Sequence, residues 1–473
     1  MGYFLIPTAT KHDEEWTISE RGVRLFATHI AAAAGLSAVK DARRNGLSRP
    51  DLKDVLRNYR KLADANIATA FGTAHAFPDE PPMRSWWVDM GGEKAGGLSV
   101  RSDKEALRAA VSEAQERHIW RHEHDYFRGT ACSTFDQLGG GKAIDPLRFA
   151  GYSNTQRNAV PRLSVTKATQ FLWTKGRSLV QKKSLLLPAQ IVSRVHAHDA
   201  MRDRKEPMLR EPITTGVATH PDKTQAILSG LLEAIERDAF MIMWLNRLSL
   251  PQVARASIAE NNSALHELLA RCDRYNLRVH FVRLITDAPA HVIMVVVRDS
   301  ANLPPFSVGT SAHASASHAA EKALLEALRA RKNARDLVRN HATLRDEKNI
   351  TFTDRHIYWA DPAKAHMMDF LTSGREAPLE NAEWENDVAP EHLERITKWC
   401  QRTGYECLYV DLGVSKKNVL GFYVVFAVIP ELQPLYLNEK NRCEGGERLH
   451  SIPKQFGYLA RSEVFADVPH PFV

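Results

Sequence analysis

Ala226-Ile-Leu-Ser-Gly-Leu-Leu-Glu-Ala-Ile-Glu-Arg237 reads as part of one long helix, and it has an upstream echo in Ala106-Leu-Arg-Ala-Ala-Val-Ser-Glu-Ala-Gln-Glu-Arg117. Both end in Glu-Ala-x-Glu-Arg at the same offset from the leading alanine. A related segment follows at Glu326-Ala-Leu-Arg-Ala-Arg331. Residues three and four apart share a helix face, so Glu113 faces with Glu116 and Glu233 with Glu236. Arg117 and Arg237 stand at i+4 from the first glutamate of each pair. Apolar residues fill most other positions, which predicts helices buried on more than one side. A carboxylate pair on such a helix is poorly solvated and either takes up a proton or attracts a cation. Oxygen-only ligands favour magnesium, which combines a few carboxylates with phosphate oxygens. The arginines suit phosphate or the orientation of the carboxylates. The plain alternative is helix support, worth a few tenths of a kcal/mol (about 0.3) per Glu–Arg pair. Repetition of the signature weighs against it.

Working outward, apolar spacing predicts helices at residues 21–35 and 50–70, the second opened by Pro50 near its first turn. A Pro-, Gly- and Trp-rich stretch from Phe77 to Gly97 reads as loop. Ser102 and Glu105 make a capping box for the first signature helix. Leu185–Val192 reads as an edge strand interrupted by Pro188. Helices are expected over Pro221–Phe240 and Ala314–Arg339, with strands at Leu277–Arg283, Val292–Arg298, Cys407–Val410 and Phe422–Ile429. This mixture predicts an α+β or α/β class.

The composition is that of a globular protein: 473 residues, 44% hydrophobic and 25% charged. The net charge of +7 is spread along the chain. Its densest basic stretch, Arg329–Arg345, lacks interleaved aromatics, which argues against nucleic-acid binding and for a solvated helix face. The five cysteines, Cys132, Cys272, Cys400, Cys407 and Cys443, form no Cys-x-x-Cys pair. That excludes a zinc ribbon and suits a reducing compartment. The opening MGYFLIPTATKHDEEW lacks the features of a secretory signal, and Ile6 breaks a myristoylation motif. The run Phe422–Ile429 is too short to cross a bilayer, so the expectation is a cytoplasmic protein without membrane contact. Gly139-Gly-Gly-Lys142 lacks Walker spacing and has Ala143 where Ser or Thr is needed. His118, His122 and His124 read as a hydrogen-bonded or solvated cluster rather than a zinc site.

Longer motifs surround the signature helices: Pro212-Ile-Thr-Thr-Gly-Val-Ala218 running to Arg237-Asp-Ala-Phe240, Trp173-Thr-Lys-Gly-Arg-Ser-Leu179, Leu187-Pro-Ala-Gln190, and Gly309-Thr-Ser-Ala-His313. In this order they resemble the YcaO family over roughly residues 92–345. The resemblance implies an α+β fold: a YcaO-type ATP-binding domain of mixed sheets flanked by long helices over 92–473. A mostly helical N-terminal extension would precede it over 1–91. It also implies ATP bound without a Walker loop, and Mg2+ among Glu113, Glu116, Glu233 and Glu236. Glu113, Arg117, Glu233, Arg237, Glu326, Arg329 and Arg331 make up the implied nucleotide set.

In the azoline-forming branch, a Cys, Ser or Thr side chain of a precursor peptide attacks the preceding carbonyl carbon. Phosphorylation then turns the amide oxygen into a leaving group. The ending Val468-Pro-His-Pro-Phe-Val473 resembles that branch's proline-rich tail, which implies a catalytic role for Pro469, Pro471 and Val473. The tail departs from the pattern at Val473, where the branch has proline. Three further departures concern nucleotide contacts. The segment at Gly96 lacks a lysine, Thr215 replaces an asparagine, and Arg329 replaces a glutamine. All are compatible with a divergent, microcin-synthetase-like branch. The implied partners are the precursor peptide, a separate ThiF-like leader-binding protein and an FMN-dependent dehydrogenase, in a hetero-oligomeric synthetase. Two rivals remain open: a YcaO enzyme forming thioamides or amidines, and a YcaO-fold scaffold without turnover.

Overall fold

The structure is a computed structural model that describes residues 9–12, 15–18, 49–74, 77–121, 132–193, 206–340, 342–344, 350–379, 382–413, 418–461 and 468–472. The chain forms two compact units. The first takes the described residues up to Pro78 together with Pro82–His118; the second takes Asp79–Pro81 and the chain from Ile119 onward.

In the first unit, strands β1 (Ala9–His12) and β2 (Glu15–Ile18) pair with each other. Helix α1 (Arg49–Asp64) follows, then the antiparallel sheet β3 (Ala70–Thr73), β4 (Arg84–Asp89), β5 (Lys94–Ser99), and α2 (Asp103–Arg121). Helix α1 matches the expectation over 50–70, whereas residues 21–35 lie outside the described set. The Phe77–Gly97 stretch holds two strands instead of a loop. Its glycines serve a tight turn: Gly91 and Gly92 take φ +78° and +104°, and both amides donate to Asp89 Oδ1 at 2.9 and 3.0 Å. The tryptophans pack the strand: Trp86 is buried and its Nε1 donates to Asp103 Oδ1 at 2.8 Å. The boundary expected between residues 91 and 92 falls inside this hairpin.

The second unit carries two sheets. Five strands run in the order β13 (Phe306–His313), β12 (His291–Arg298), β11 (Arg278–Arg283), β10 (Gln252–Val253), β14 (Glu376–Ala377). The other sheet runs β6 (Cys132–Thr134), β7 (Gln170–Ser178), β15 (Leu408–Asp411), β16 (Tyr423–Val428), β9 (Val217–His220), with β8 (Ser184–Pro188) also paired to β7. The strand expected over Leu185–Val192 stops at Pro188, and Ala189–Val192 make one helical turn instead. Helix α3 (Lys223–Asn246) packs against β16 and β9 of one sheet and against β13 of the other. That double contact explains its apolar sequence: Ile235, Ala239, Phe240, Met241, Ile242 and Met243 are all fully buried in one core. Full burial of such a side chain contributes about 1.5–3 kcal/mol. Helices α4 (Ser263–Arg274), α5 (Ala316–Arg339), α6 (Phe352–Ala360), α7 (Ala389–Thr403) and α8 (Arg448–Gln455) complete the longer elements.

Candidate nucleotide and magnesium site

Each signature glutamate is held by the same device. In the first unit, the Gly96 amide at the start of β5 donates to Glu113 Oε2 of α2 at 2.9 Å. In the second, the Gly216 amide just before β9 donates to Glu233 Oε2 of α3 at 3.0 Å, and the Thr310 amide of β13 donates to Glu326 Oε2 of α5 at 3.3 Å. A strand therefore supplies one N–H to the glutamate of the helix that follows, 17, 17 and 16 residues later. An arginine one turn on completes each arrangement: Arg117 with Glu113, Arg237 with Glu233 at 3.4 Å, and Arg329 with Glu326 at 3.9 Å. By this correspondence Arg329 stands where the other two helices carry their second glutamate, Glu116 and Glu236.

The helix-to-strand approach is close. A Cβ on Gly216, which has φ +99°, would lie 2.1 Å from the Ala427 carbonyl oxygen. Gly230 lets α3 lie on this loop, because a Cβ there would lie 2.5 Å from the Gly216 oxygen. Glycine is required at both places for contact alone.

In the second unit, Glu236 is held by two short side-chain contacts. Its Oε1 accepts from Arg237 Nη1 at 2.7 Å and from Thr310 Oγ1 at 2.6 Å. Burial is the main reason its carboxyl is pushed up to about 8; Arg237 opposes this, and Glu326 and Glu233 add to it. Burial raises Glu233 as well, again against Arg237. Burial also works against the Arg237 charge, but the three glutamates outweigh it and its pKa rises. Three carboxyl groups thus face Arg237 and the half-exposed Arg329, and the raised Glu236 and Glu233 show that these arginines do not fully offset the cost of charging them.

In the first unit, Arg117 also donates to Glu93 Oε1 at 2.9 Å and to the Lys94 carbonyl at 3.1 Å. Glu116 lies half-buried on the same helix. Between Glu113 and Glu116, Gln115 is fully buried, and neither side-chain amide atom is hydrogen-bonded among the described residues. It occupies the place that Ile235 fills in the second signature.

The tail segment runs to the second cluster. Trp244 Nε1 donates to the Val468 carbonyl at 3.2 Å, and His470 Nε2 donates to the Tyr436 carbonyl at 2.7 Å. Burial holds His470 far below the usual histidine range. Pro469 is half-buried and Pro471 buried. The Phe472 ring centroid lies 3.8 Å from the Arg237 guanidinium carbon and 5.3 Å from the Phe240 ring. Val473, like His122 and His124, lies outside the described residues. A small cavity of about 20 Å³, enough for about one water, borders Arg237, Thr215, Ala234 and Leu435.

Arg331 joins a different set of partners. It is buried, with Asp299 Oδ2 at 2.8 Å, the Pro304 carbonyl at 3.2 Å and Glu80 at 3.1 Å. Its guanidinium is therefore committed to holding the Asp79–Pro81 segment and the β12–β13 connection. Arg335 does the same with Asp79 and Glu80. Part of the basic run read as a solvated face is thus ion-paired. Sequence reading passed over Thr310 and Phe472. Thr310 lies next to Gly309 in a quoted motif, and Phe472 sits between two residues that were singled out. Neither residue type advertises its contact.

The carboxylate oxygens suit Mg2+ in kind, and Arg237 Nε, buried without a hydrogen-bond partner among the described residues, suits a phosphate oxygen. Among the described residues no three His, Cys, Asp or Glu side chains already converge on one point, because Arg237, Thr310 and backbone amides hold the carboxylates.

Residues 100–433 match the family described as YcaO cyclodehydratase, ATP- and Mg2+-binding. The chain belongs to the YcaO family. Three solved structures show the same fold. A heterocyclase in complex with substrate and cofactor is 18% identical, with TM-score 0.69 over 88% of this chain and 57% of that one. YcaO from Methanopyrus kandleri, bound with AMPPCP and Mg2+, is 16% identical, with TM-score 0.57 over 84% and 94%. The E. coli microcin synthetase McbBCD complex is 14% identical, with TM-score 0.55 over 76% and 87%. This YcaO chain spans about half the length of the heterocyclases it resembles, 57% and 50%. Comparison with curated proteins finds no match. Among the described residues no helix is long and apolar enough to cross a membrane.

Proposed function

We propose that this YcaO protein is an ATP-dependent cyclodehydratase that converts Cys, Ser or Thr residues of a ribosomally made precursor peptide to thiazolines or oxazolines. The family description supports ATP and Mg2+ as cofactors, and the contact of Phe472 with Arg237 carries the azoline reading. It brings the proline-rich segment to the buried Glu233–Glu236–Arg237 cluster, where a bare structural tail has no reason to be. Bound Mg-ATP would supply the phosphoryl group that turns an amide oxygen into a leaving group. The residues to hold it are Glu233, Glu236 and Glu326, together with Glu113 and Glu116 of the first signature. Arg237, Arg329 and Arg117 orient those carboxylates and offset charge developing on phosphate. Thr310 fixes Glu236, and Pro469 and Pro471 stiffen the tail so that its end is positioned. No nucleotide role is assigned to Arg331. The precursor peptide, a ThiF-like leader-binding protein and an FMN-dependent dehydrogenase are the proposed partners, in a hetero-oligomeric synthetase in the cytoplasm.

Mass spectrometry of a precursor peptide treated with the chain, its partner, ATP and Mg2+ tests this. Loss of one water per cyclised residue is expected, with Glu233→Gln and Glu236→Gln inactive. A sulfur-for-oxygen mass change would instead mean thioamide chemistry. A second reading, a scaffold without turnover, draws on Arg329 in place of a carboxylate. ADP release dependent on the precursor peptide excludes it.

A further inference from the structure

The hairpin of β7 and β8 carries a cationic face that the nucleotide chemistry does not use. Lys175 and Arg177 are both exposed on one face of β7, two residues apart. Lys182 and Lys183 are exposed in the turn, and exposed Lys142 lies beyond β8, where its carbonyl accepts from the Leu186 amide at 2.8 Å. Lys183 Nζ donates to the Gly141 carbonyl at 3.0 Å. None of these five cations forms an ion pair among the described residues. Lys182 acts electrostatically on Glu394, which is already paired with Lys398 at 2.7 Å.

The neighbouring strand leaves the charge uncompensated. Arg177 faces Ser184 across one ladder and Tyr409 across the other. The acid two residues on, Asp411, is taken by Lys223 at 3.5 Å. Lys223 Nζ also lies 5.1 Å from the Tyr409 ring and 5.8 Å from the Tyr423 ring.

The hairpin is also rigid. Buried Glu406 accepts from Ser178 Oγ at 2.7 Å and Gln181 Nε2 at 2.6 Å, and the Ser178 amide donates to the Lys183 carbonyl at 2.9 Å. Lys182 holds the left-handed conformation, φ +54°, in the turn so formed. Lysines on a sheet edge often serve only to block edge-to-edge pairing. That explanation does not reach Arg177, which is paired with Ser184 on one side and Tyr409 on the other.

We propose that this face docks an extended Asp- and Glu-rich segment of a partner polypeptide, recognised by charge and by the pre-set spacing of the strand. Such complementarity sets partner choice and association rate and is screened by salt. The full chain, without ATP, is titrated into a labelled Glu/Asp-rich peptide followed by fluorescence anisotropy, with a Gln/Asn counterpart as control. Binding to the acidic peptide alone is expected, weakening steeply with salt. It should fall by about tenfold or more in the double variant Lys175→Glu, Arg177→Glu. A second variant, Lys182→Gly with Lys183→Gln, suits the turn conformation and should weaken binding while melting as the wild type does. Equal binding of the neutral peptide, or unchanged affinity in both variants, overturns the proposal. So does displacement of the peptide by an RNA homopolymer that binds more tightly and is lost in the same variants, which would make this a nucleic-acid surface. Because ATP is absent, failure here is separate from failure of the cyclodehydratase reading.

Discussion

Gln115 and Ile235 occupy the same place in two signature helices, yet only one is comfortable there. Ile235 is fully buried in an apolar core, whereas the buried amide of Gln115 has no hydrogen-bond partner among the described residues. An unsatisfied buried polar group costs about 1–3 kcal/mol. Gln115→Leu is therefore expected to stabilise the protein by about 1 kcal/mol or more, read as a rise in the denaturant midpoint at constant slope. Phe472 gives a functional counterpart. Phe472→Ala removes the ring from Arg237 and should slow peptide cyclisation by about tenfold or more, while Phe472→Tyr keeps most of the rate. Steady-state kinetics with purified partner and peptide checks this; an unchanged rate in Phe472→Ala would detach the tail from the site. At this scale the carboxylates and arginines were legible, because helical spacing alone puts Glu233, Glu236 and Arg237 together. Their anchors were not. Thr310 and Phe472 act through a hydroxyl and a ring face whose partners lie far away in sequence. Arg331 shows the converse, since a charged residue in the right motif spends its guanidinium on Glu80 and Asp299.

Three strand–helix units, β5–α2, β9–α3 and β13–α5, each place a backbone amide against the glutamate of the helix. The sequence showed the helix halves of this repeat and hid the strand halves. β13 is broken in sequence by Gly309, a residue depleted in strands, and it forms because its whole length pairs with β12. β7 was missed for a related reason: Lys175 and Arg177 break any apolar reading. Gly309 is the tightest point of the third unit. A Cβ there would lie 2.3 Å from the Ala323 carbonyl oxygen and 2.4 Å from the Ala327 amide nitrogen. Gly309→Ala must push α5 from β13 and is expected to destabilise the protein by about 2 kcal/mol or more, measurable by urea unfolding. A cost below the error of that experiment would mean the helix–strand approach is not what holds Glu326 in place.

At the scale of the molecule, α3 runs between two sheets and is apolar on nearly every side. That arrangement gives its few charged groups their character. Glu236 and Arg237 are buried, and so is Asp238, which binds Arg448 Nη2 at 2.8 Å within the same core. The α+β class and the family were readable because the motifs fall in one order along most of the chain. The division into units was not, because the glycine-rich turn at Gly91 and Gly92 looks like a linker and is a hairpin. The signature glutamates are proposed to hold magnesium and nucleotide. Isothermal titration of the full chain with AMPPCP, with and without Mg2+, checks this at the site itself. Saturable, Mg2+-dependent binding is expected, weakening by about tenfold or more in Glu233→Gln and again in Glu236→Gln, in variants that melt as the wild type does. Binding of equal affinity in both variants, or binding indifferent to Mg2+, would contradict it.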